Sequence, residues 1–289
     1  MTAQSVAEVV AAVRPQLHAV AYRLLGSVAD AEDAVQEACL QLEQHGLDGI
    51  DNPEAWLMRV TSRRALDRLR SAQARREQYV GPWLPEPLLV SDDVADDIEQ
   101  AESVSMAFLL VLESLSPAER VAFVMHDVFG YGYDDLAVIL DRSEQSCRQL
   151  VSRARKSVQA RRPRFDADRR QRDEVVERFL EACLSGDVDR LLEVLAPDVV
   201  LQSDGGGVVS AARRPVEGAE HVARFFLGIL KQVPPDLSVE LERVNGTLGI
   251  VGRRPDGTAD TAFAIEVRDG RIGAIYGLRN PEKLAHLKA

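Results

Sequence analysis

The chain has 289 residues, 46% of them apolar and 28% charged. That suits two or three domains with packed cores and excludes a collagen-like or fully disordered chain. The longest run without Asp, Glu, Lys or Arg is Ser103–Leu112, about half of the roughly 20 apolar residues a membrane span needs. The N-terminal apolar stretch is interrupted by Arg14 and opens without a basic cluster, so no secretory segment is expected. Cys39, Cys147 and Cys183 lie far apart. They fit reduced thiols in a cytoplasmic protein, with no disulfide framework and no metal site.

The net charge of −11 hides a strong polarity. Residues 1–76 are nearly neutral at −1, 77–119 carry −10, 120–172 carry +5 and 173–289 carry −5. Within the first block, Arg59, Arg63, Arg64, Arg68, Arg70, Arg75 and Arg76 face only Asp67. Eight basic residues between Arg142 and Arg164 face only Glu144. Two basic stretches separated by an acidic one suggest two contacts with a polyanion; the alternative is two solvated helix faces.

Apolar spacing over 5–25 (Val6, Val9, Val10, Val13, Leu17, Val20, Ala21, Leu24) predicts a helix. Ser27 caps a second helix to about Glu43, with Asp30 in its positive first turn. Pro53 opens a third, which carries the arginines to about Arg76. Residues 1–76 thus read as an all-helical domain. Residues 77–102 read as a linker: Gly81-Pro82-Trp83-Leu84-Pro85-Glu86-Pro87 cannot form a regular helix, and six acidic residues follow between Asp92 and Glu102. Tyr79 and Trp83 are unusual in a plain tether, so docking and simple spacing both stay open.

Residues 103–166 return to helices. Ser116-Pro117-Ala118-Glu119 has the form of a capping box, and Gly130 and Gly132 break the helix that follows. Tyr133–Leu140 forms a short helix with Leu136, Ala137 and Leu140 inward. After the turn Asp141-Arg142-Ser143, a last helix runs to about Arg162. Its buried stripe is Cys147, Val151, Ala154 and Val158. Its other face holds Arg148, Gln149, Ser152, Arg153, Arg155 and Lys156. This is the pattern of a helix-turn-helix whose second helix enters the major groove, or of an ordinary helical hairpin with a basic face. Arg and Gln near the N-terminal half of this helix can reach base edges, and Arg155, Lys156, Arg161 and Arg162 are better placed for phosphates.

From Asp173 the pattern becomes α+β. Helices are expected at 173–185, 188–195 and 219–233. A short strand at 199–202 and an antiparallel meander of strands at 237–244, 247–252, 261–267 and 271–278 follow, with Asp256-Gly257 and Asp269-Gly270 as hairpin turns.

Three stretches carry a resemblance. They are Tyr22-Arg23-Leu24-Leu25-Gly26 with Asp30–Glu37; Asn52-Pro53-Glu54-Ala55-Trp56 through Arg70; and Leu115–Arg120 through Tyr133–Ala137 and Arg153-Ala154-Arg155. In order and spacing the chain resembles the extracytoplasmic-function (ECF) sigma factors, the promoter-recognition subunits of bacterial RNA polymerase. The resemblance implies that Asp30, Asp33, Gln36 and Glu37 bind core polymerase, at its β′ coiled coil, within a partner that presents both β and β′. It implies that Asn52, Arg59, Arg63, Arg64, Asp67 and Arg70 engage the −10 element, and Arg148, Gln149, Ser152 and Arg153 the −35 element.

Residues 173–289 resemble SnoaL-like domains, a cone of curved sheet and helices around a cavity. The combination resembles an ECF subgroup with that extension fused on. Trp83-Leu84-Pro85-Glu86-Pro87, Asp204-Gly205-Gly206-Gly207 and Asn280-Pro281-Glu282-Lys283-Leu284 match short motifs of the subgroup. By this analogy Trp83, Pro85, Asp204 to Gly207, Asn280, Pro281, Lys283 and Leu284 join the extension to the linker and regulate the sigma domains. The triple glycine fits a close backbone approach or a plain flexible loop. Asp198, Asp204, His221, Asp260 and Tyr276 are the candidate acid–base groups of a cone enzyme, and no pair has a telling spacing. The expected function is a non-catalytic transcription initiation subunit with a built-in regulator, without cofactor or membrane. A SnoaL-type enzyme, or a regulator that senses a small ligand in the cone, fused to a DNA-binding module, is the alternative.

Overall fold

The fold is that of a computed structural model, which describes residues 5–76 (72–76 as backbone only), 79–90, 103–161 and 168–287. The chain divides into two compact units, Met1–Glu77 with Leu109–Arg162 and Gln78–Phe108 with Pro163–Ala289. Arg162, Arg164, the acidic residues between Asp92 and Glu102, and the side chains of Arg75 and Arg76 fall outside the described parts.

The first unit is helical. α1 (Val6–Leu25) starts with a reciprocal Ser5–Glu8 capping box and ends at Gly26, whose φ of 66° suits a residue without Cβ. α2 (Val28–His45) is capped by Ser27, which accepts from the Asp30 amide. α3 (Pro53–Arg76) is capped by Asn52, whose Oδ1 accepts from Ala55 N at 3.0 Å. Val9, Val13, Leu17, Val20 and Leu24 of α1 are buried, as are Ala34, Val35, Ala38 and Leu42 of α2 and Leu57, Ala65 and Leu69 of α3.

α4 (Met106–Glu113) has its first three residues in the second unit. α5 (Pro117–Phe123) carries the Ser116–Glu119 capping box and continues into one π turn, Val124–Val128. α6 (Tyr133–Leu140) and α7 (Glu144–Arg161) form the helix-turn-helix. Asp141 takes the left-handed turn position at φ 52°, a conformation that Asp tolerates better than most residues. The α6 stripe differs from expectation in one residue. Ile139 is buried with Leu136 and Leu140, whereas Ala137 is only half-buried. On α7, Cys147, Leu150, Val151, Ala154 and Val158 are all buried.

Arg120 ties this unit together. The residue is 2% exposed. It donates to Leu24 O at the end of α1 and to Leu112 O of α4, both at 2.9 Å, and pairs with Glu113 at 2.5 Å. Burial lowers its pKa to about 9. A charge removed from water this far persists because two carbonyls and a carboxylate accept from its Nε and Nη1.

The second unit is a cone. α8 (Arg169–Ser185) starts four residues earlier than expected, and α9 (Val188–Val194) follows. β1 (Leu195–Asp204) leads through a two-residue strand β2 (Val216–Glu217) to α10 (Ala219–Leu230). β3 (Ser238–Val244), β4 (Thr247–Arg253), β5 (Ala259–Arg268) and β6 (Arg271–Leu278) form the meander, closed by the one-turn helix α11 (Pro281–Leu284). The sheet order is β2-β1-β6-β5-β4-β3. The sheet is mixed rather than wholly antiparallel, because β1 runs parallel to β6. Tight turns force β3 to β6 to alternate in direction. No such turn joins β1 to β6, so packing sets its direction. Phe179, Phe226, Phe263, Ile265 and Ile275 build the core on one face of the sheet. By strand alternation Ala264, Glu266 and Tyr276 lie on the other.

Candidate functional sites

The six −35 candidates, Arg148, Gln149, Ser152, Arg153, Arg155 and Lys156, are all exposed on α7. Gln145, Arg148, Gln149, Ser152 and Arg153 border one shallow depression. The arginines are held in place from behind. Arg148 lies 4.3 Å over the Tyr133 ring and pairs with Glu144 at 3.0 Å. Arg153 pairs with Glu119 at 2.9 Å, and Arg155 pairs with Asp127. Glu119 therefore serves twice, in the α5 cap and under Arg153. Those two partners, Ser116 first, hold its carboxyl below the usual range against the opposing effect of burial.

The −10 candidates divide. Asn52 caps α3, Arg59 Nε donates to Ala55 O at 3.3 Å, and Arg63 Nε reaches Ile139 O at 3.4 Å. Asp67 and Arg70 pair with each other at 3.4 Å on the surface. Arg64 turns instead to Glu37, at 3.5 Å. Trp56 is half-buried, with its ring 6.1 Å from His45.

The acidic candidates of α2 gather on a residue that sequence reading did not single out. Arg68 meets Asp30 and Asp33 at 3.3 Å and Glu37 at 2.6 Å, while Gln36 is exposed beside them. Glu37 and the two other carboxylates raise the Arg68 pKa against its partial burial. Arg64 and Arg68 lie four apart on α3, as Asp33 and Glu37 do on α2, so each pair shares a face, but only the packing of the two helices brings the faces together.

In the second unit the linker lies on the cone through Asp204. This carboxylate is fully buried. Its Oδ1 accepts from Tyr79 Oη at 2.6 Å and Gly206 N at 3.0 Å. Its Oδ2 accepts from Leu84 N at 2.9 Å and Lys283 Nζ at 2.7 Å. Lys283 Nζ also donates to Leu84 O at 2.5 Å, and stands 4.2 Å from the Trp83 ring centre and 5.0 Å from that of Tyr79. The ammonium thus has a carboxylate, a carbonyl and two aromatic faces, a set suited to a desolvated cation. Asn280 caps α11 at Glu282 N and donates to Tyr79 Oη at 3.0 Å. Burial, then Asp204, pushes the Tyr79 hydroxyl pKa up. Pro85 and Leu284 are buried, and Pro281 is exposed.

The triple glycine is a close approach. A Cβ on Gly206, at φ 63°, would stand 2.5 Å from Asn280 Nδ2, and one on Gly205 would stand 2.4 Å from Val209 O. Gly207 packs on Val80 of the linker.

Two further holds were missed in the sequence. Asn245 is fully buried at φ 52° in the β3–β4 turn. It pairs with Leu88 in both directions, N to O at 2.7 Å and Oδ1 from N at 3.1 Å. Its Nδ2 donates to Val104 O at 2.8 Å. Its signal was Asn245-Gly246, the same kind of turn dipeptide as the two Asp-Gly pairs. Glu266, in the middle of the apolar strand β5, accepts from Ala107 N at 2.8 Å in the first turn of α4. Its burial raises its carboxyl pKa to about 7, against the lowering by Ala107 N–H and Arg268.

The concave face encloses a cavity of about 470 Å³, lined by Phe179, Phe225, Phe226 and Phe263 among others, with Asp260 and Arg279 at its polar part. Of the five acid–base candidates, Asp260 lines it and is held by Arg254 at 2.6 Å and Arg279 at 3.4 Å. Asp198 and His221 are exposed, Tyr276 lies on the other face, and Asp204 is in the clasp. No cluster of three or more His, Cys, Asp or Glu suited to a metal occurs among the described residues. Nor does a helix long and apolar enough to cross a membrane.

A helical domain with an arginine-bearing third helix, a helix-turn-helix with a basic outer face and a fused cone define a DNA-binding transcription protein with an extra domain. The comparisons assign each part. Residues 9–75 match Sigma-70 region 2, 105–158 match Sigma-70, region 4, and 176–275 match the SnoaL-like domain. The chain is 42% identical over 284 residues to the ECF RNA polymerase sigma factor SigJ of Mycobacterium tuberculosis, covering 94% of this chain and 91% of that one. It is 36% identical over 283 residues to the probable ECF sigma factor SigI of the same species, covering 96% and 93%. The crystal structure of Mycobacterium tuberculosis SigJ superposes with a TM-score of 0.77 at 40% identity, over 96% of this chain and 98% of that one. The chain belongs to the ECF RNA polymerase sigma factors, with a SnoaL-like domain fused at the C-terminal side.

Proposed function

We propose that this sigma factor is regulated by its own cone, which binds the linker between the two promoter-reading regions through the Asp204 clasp. The observation that carries this reading is the clasp itself. One buried carboxylate joins Tyr79 and Leu84 of the linker to Lys283 of the cone. A buried charge with four donors is costly to assemble by chance, and removing one partner leaves the others uncompensated.

The residue roles follow. α7 reads the −35 element through Arg148, Gln149, Ser152 and Arg153, and Arg155 and Lys156 contact phosphates. Asn52, Arg59, Arg63, Arg64, Asp67 and Arg70 serve the −10 element. Asp30, Asp33, Gln36 and Glu37 bind the β′ subunit of core polymerase. The cone acts in the cytoplasm as a non-catalytic regulator: Asp260, the candidate base in its cavity, is held in an ion pair by Arg254 at 2.6 Å. The domains run over 1–76, 77–102, 103–166 and 173–289.

The test is promoter-dependent transcription with purified core polymerase, comparing the full chain with Lys283→Met. The variant is expected to bind core polymerase as before and to change transcript yield severalfold. A rise would mean that the clasp restrains initiation, and a fall that it supports it. An unchanged yield would remove the clasp from regulation.

A further inference from the structure

We infer that the cone binds a small molecule with an apolar body and one carboxylate head, and that its binding loosens the linker clasp through the shared segment 204–212. This rests on the proposed role of the clasp.

The cavity volume of about 470 Å³ falls within the roughly 300–1,000 Å³ of small-molecule sites. Its body is apolar: Phe179 meets Phe226 edge-on at 5.0 Å, and Phe226 meets Phe263 at 5.5 Å. The lining includes Leu184, Val233 and Val239, which remain 64%, 36% and 37% exposed. Exposed apolar side chains around a cavity are what an apolar ligand would cover.

The polar part selects the head. The charged residues of the lining are Arg224, Arg279 and Asp260, and Arg224 is compensated by Glu220, outside the lining, at 3.0 Å. Asp260 is already compensated by Arg254, outside the lining, through bonds of 2.6 and 3.1 Å. Arg279 spends one N–H on Ser210 O at 2.9 Å and meets Asp260 at 3.4 Å. A guanidinium has five N–H donors, so this one can take a carboxylate in its fork. One surplus cation matches one monoanion.

The same few residues belong to the clasp. Ser210 and Ala211 line the cavity, and Gly206 and Gly207 of the same segment sit against Asn280 and Val80. The backbone N–H groups of Arg279 and Asn280 both donate to Asp204 O, at 2.8 and 3.1 Å. A carboxylate that draws the Arg279 guanidinium towards the cavity competes with Ser210 O. It thereby frees the segment that holds Asp204 in place. Ligand and linker are then coupled with opposite sign, so each weakens the other's hold by the same factor.

The test uses the full chain and dodecanoate as probe, with dodecanol as the neutral control, read by titration calorimetry. Hydrogen exchange at the Leu84 amide, the donor to Asp204, reads the clasp. Dodecanoate is expected to bind saturably. Arg279→Gln should weaken dodecanoate about tenfold, the effect of about one charged hydrogen bond, and leave dodecanol unchanged. Gly228→Phe should abolish binding: Gly228 lines the cavity from α10, and a Cβ there meets nothing within 4 Å. Dodecanoate should speed Leu84 exchange severalfold in the parent chain and not in Gly228→Phe.

Absent binding, or binding that survives Gly228→Phe, would overturn the site. Dodecanol binding as tightly as dodecanoate would overturn the carboxylate head. Binding with unchanged or slower Leu84 exchange would overturn the coupling. Failure of the clasp reading itself shows separately, as Leu84 exchange that Lys283→Met does not speed in the absence of any probe.

Discussion

Glu266→Gln should make the cone more stable at neutral and alkaline pH. Glu266 is 3% exposed and accepts from Ala107 N. Arg268 and Tyr276 are the other titratable groups that act on it. Burial lifts its folded pKa from 4.5 to about 7. The sign follows from proton binding. Below pH 4.5 both states are protonated. Between 4.5 and 7 the unfolded chain has lost the proton that the folded chain retains, so stability falls as pH rises. Above 7 the loss is complete. About 2.5 units at 1.36 kcal/mol each gives a penalty of about 3 kcal/mol. Gln keeps the oxygen that accepts from Ala107 and has no proton to lose. Urea unfolding followed by Trp83 fluorescence in a Trp56→Phe background would measure it between pH 4.5 and 8. The variant should match the parent chain at the acid end and exceed it by up to about 3 kcal/mol at the alkaline end. Parallel stability curves for the two chains would refute the reasoning.

Arg148→Ala and Arg153→Ala should each weaken specific promoter binding by about 1–3 kcal/mol, the range for one base contact, with core binding intact; equal loss on scrambled DNA would show phosphate contact alone. Arg68→Met leaves Asp30, Asp33 and Glu37 without their shared cation and should destabilise the first unit by about 1 kcal/mol, the scale of a partly exposed network, measured by thermal unfolding at two salt concentrations. Asn245→Gly keeps the left-handed turn but orphans Leu88 N and Val104 O. Each orphan costs about 1–3 kcal/mol, so Leu88 amide exchange should accelerate; unchanged exchange would mean that the turn alone holds the linker.

What the sequence revealed was local or periodic. The caps at Ser27 and Ser116 and the α7 stripe depend on residues within a few turns of each other, and spacing records them. The clasp was legible only as three short motifs, because Tyr79, Leu84, Asp204 and Lys283 are joined by hydrogen bonds over separations of up to 199 positions. Residue type shows that each needs a partner and leaves the partner unnamed. Arg68 illustrates the same limit. Within a run of arginines its charge resembles its neighbours', and only the packing of α3 on α2 sends it to three carboxylates. The direction of β1 was hidden for the topological reason that no tight turn connects it to β6.

Asn245 connects these points to regulation. Leu88 and Val104 are 16 positions apart, yet both bond to this one side chain. Sixteen extended residues span about 50 Å, so the strap removes that much reach from the tether between the two promoter-reading regions. The −10 and −35 elements lie about 25 base pairs apart by their names, roughly 85 Å at 3.4 Å per pair. With the proposed promoter-reading roles, a tether shortened by more than half that distance would constrain which promoter contacts form together. Under the proposed function, control acts on the linker itself. It suffices that Asp204, Asn245 and Glu266 grip the backbone at Leu84, Leu88 and Ala107. Three grips on one connecting strand share the load, so loss of any one is expected to shift the equilibrium of the strap rather than abolish it.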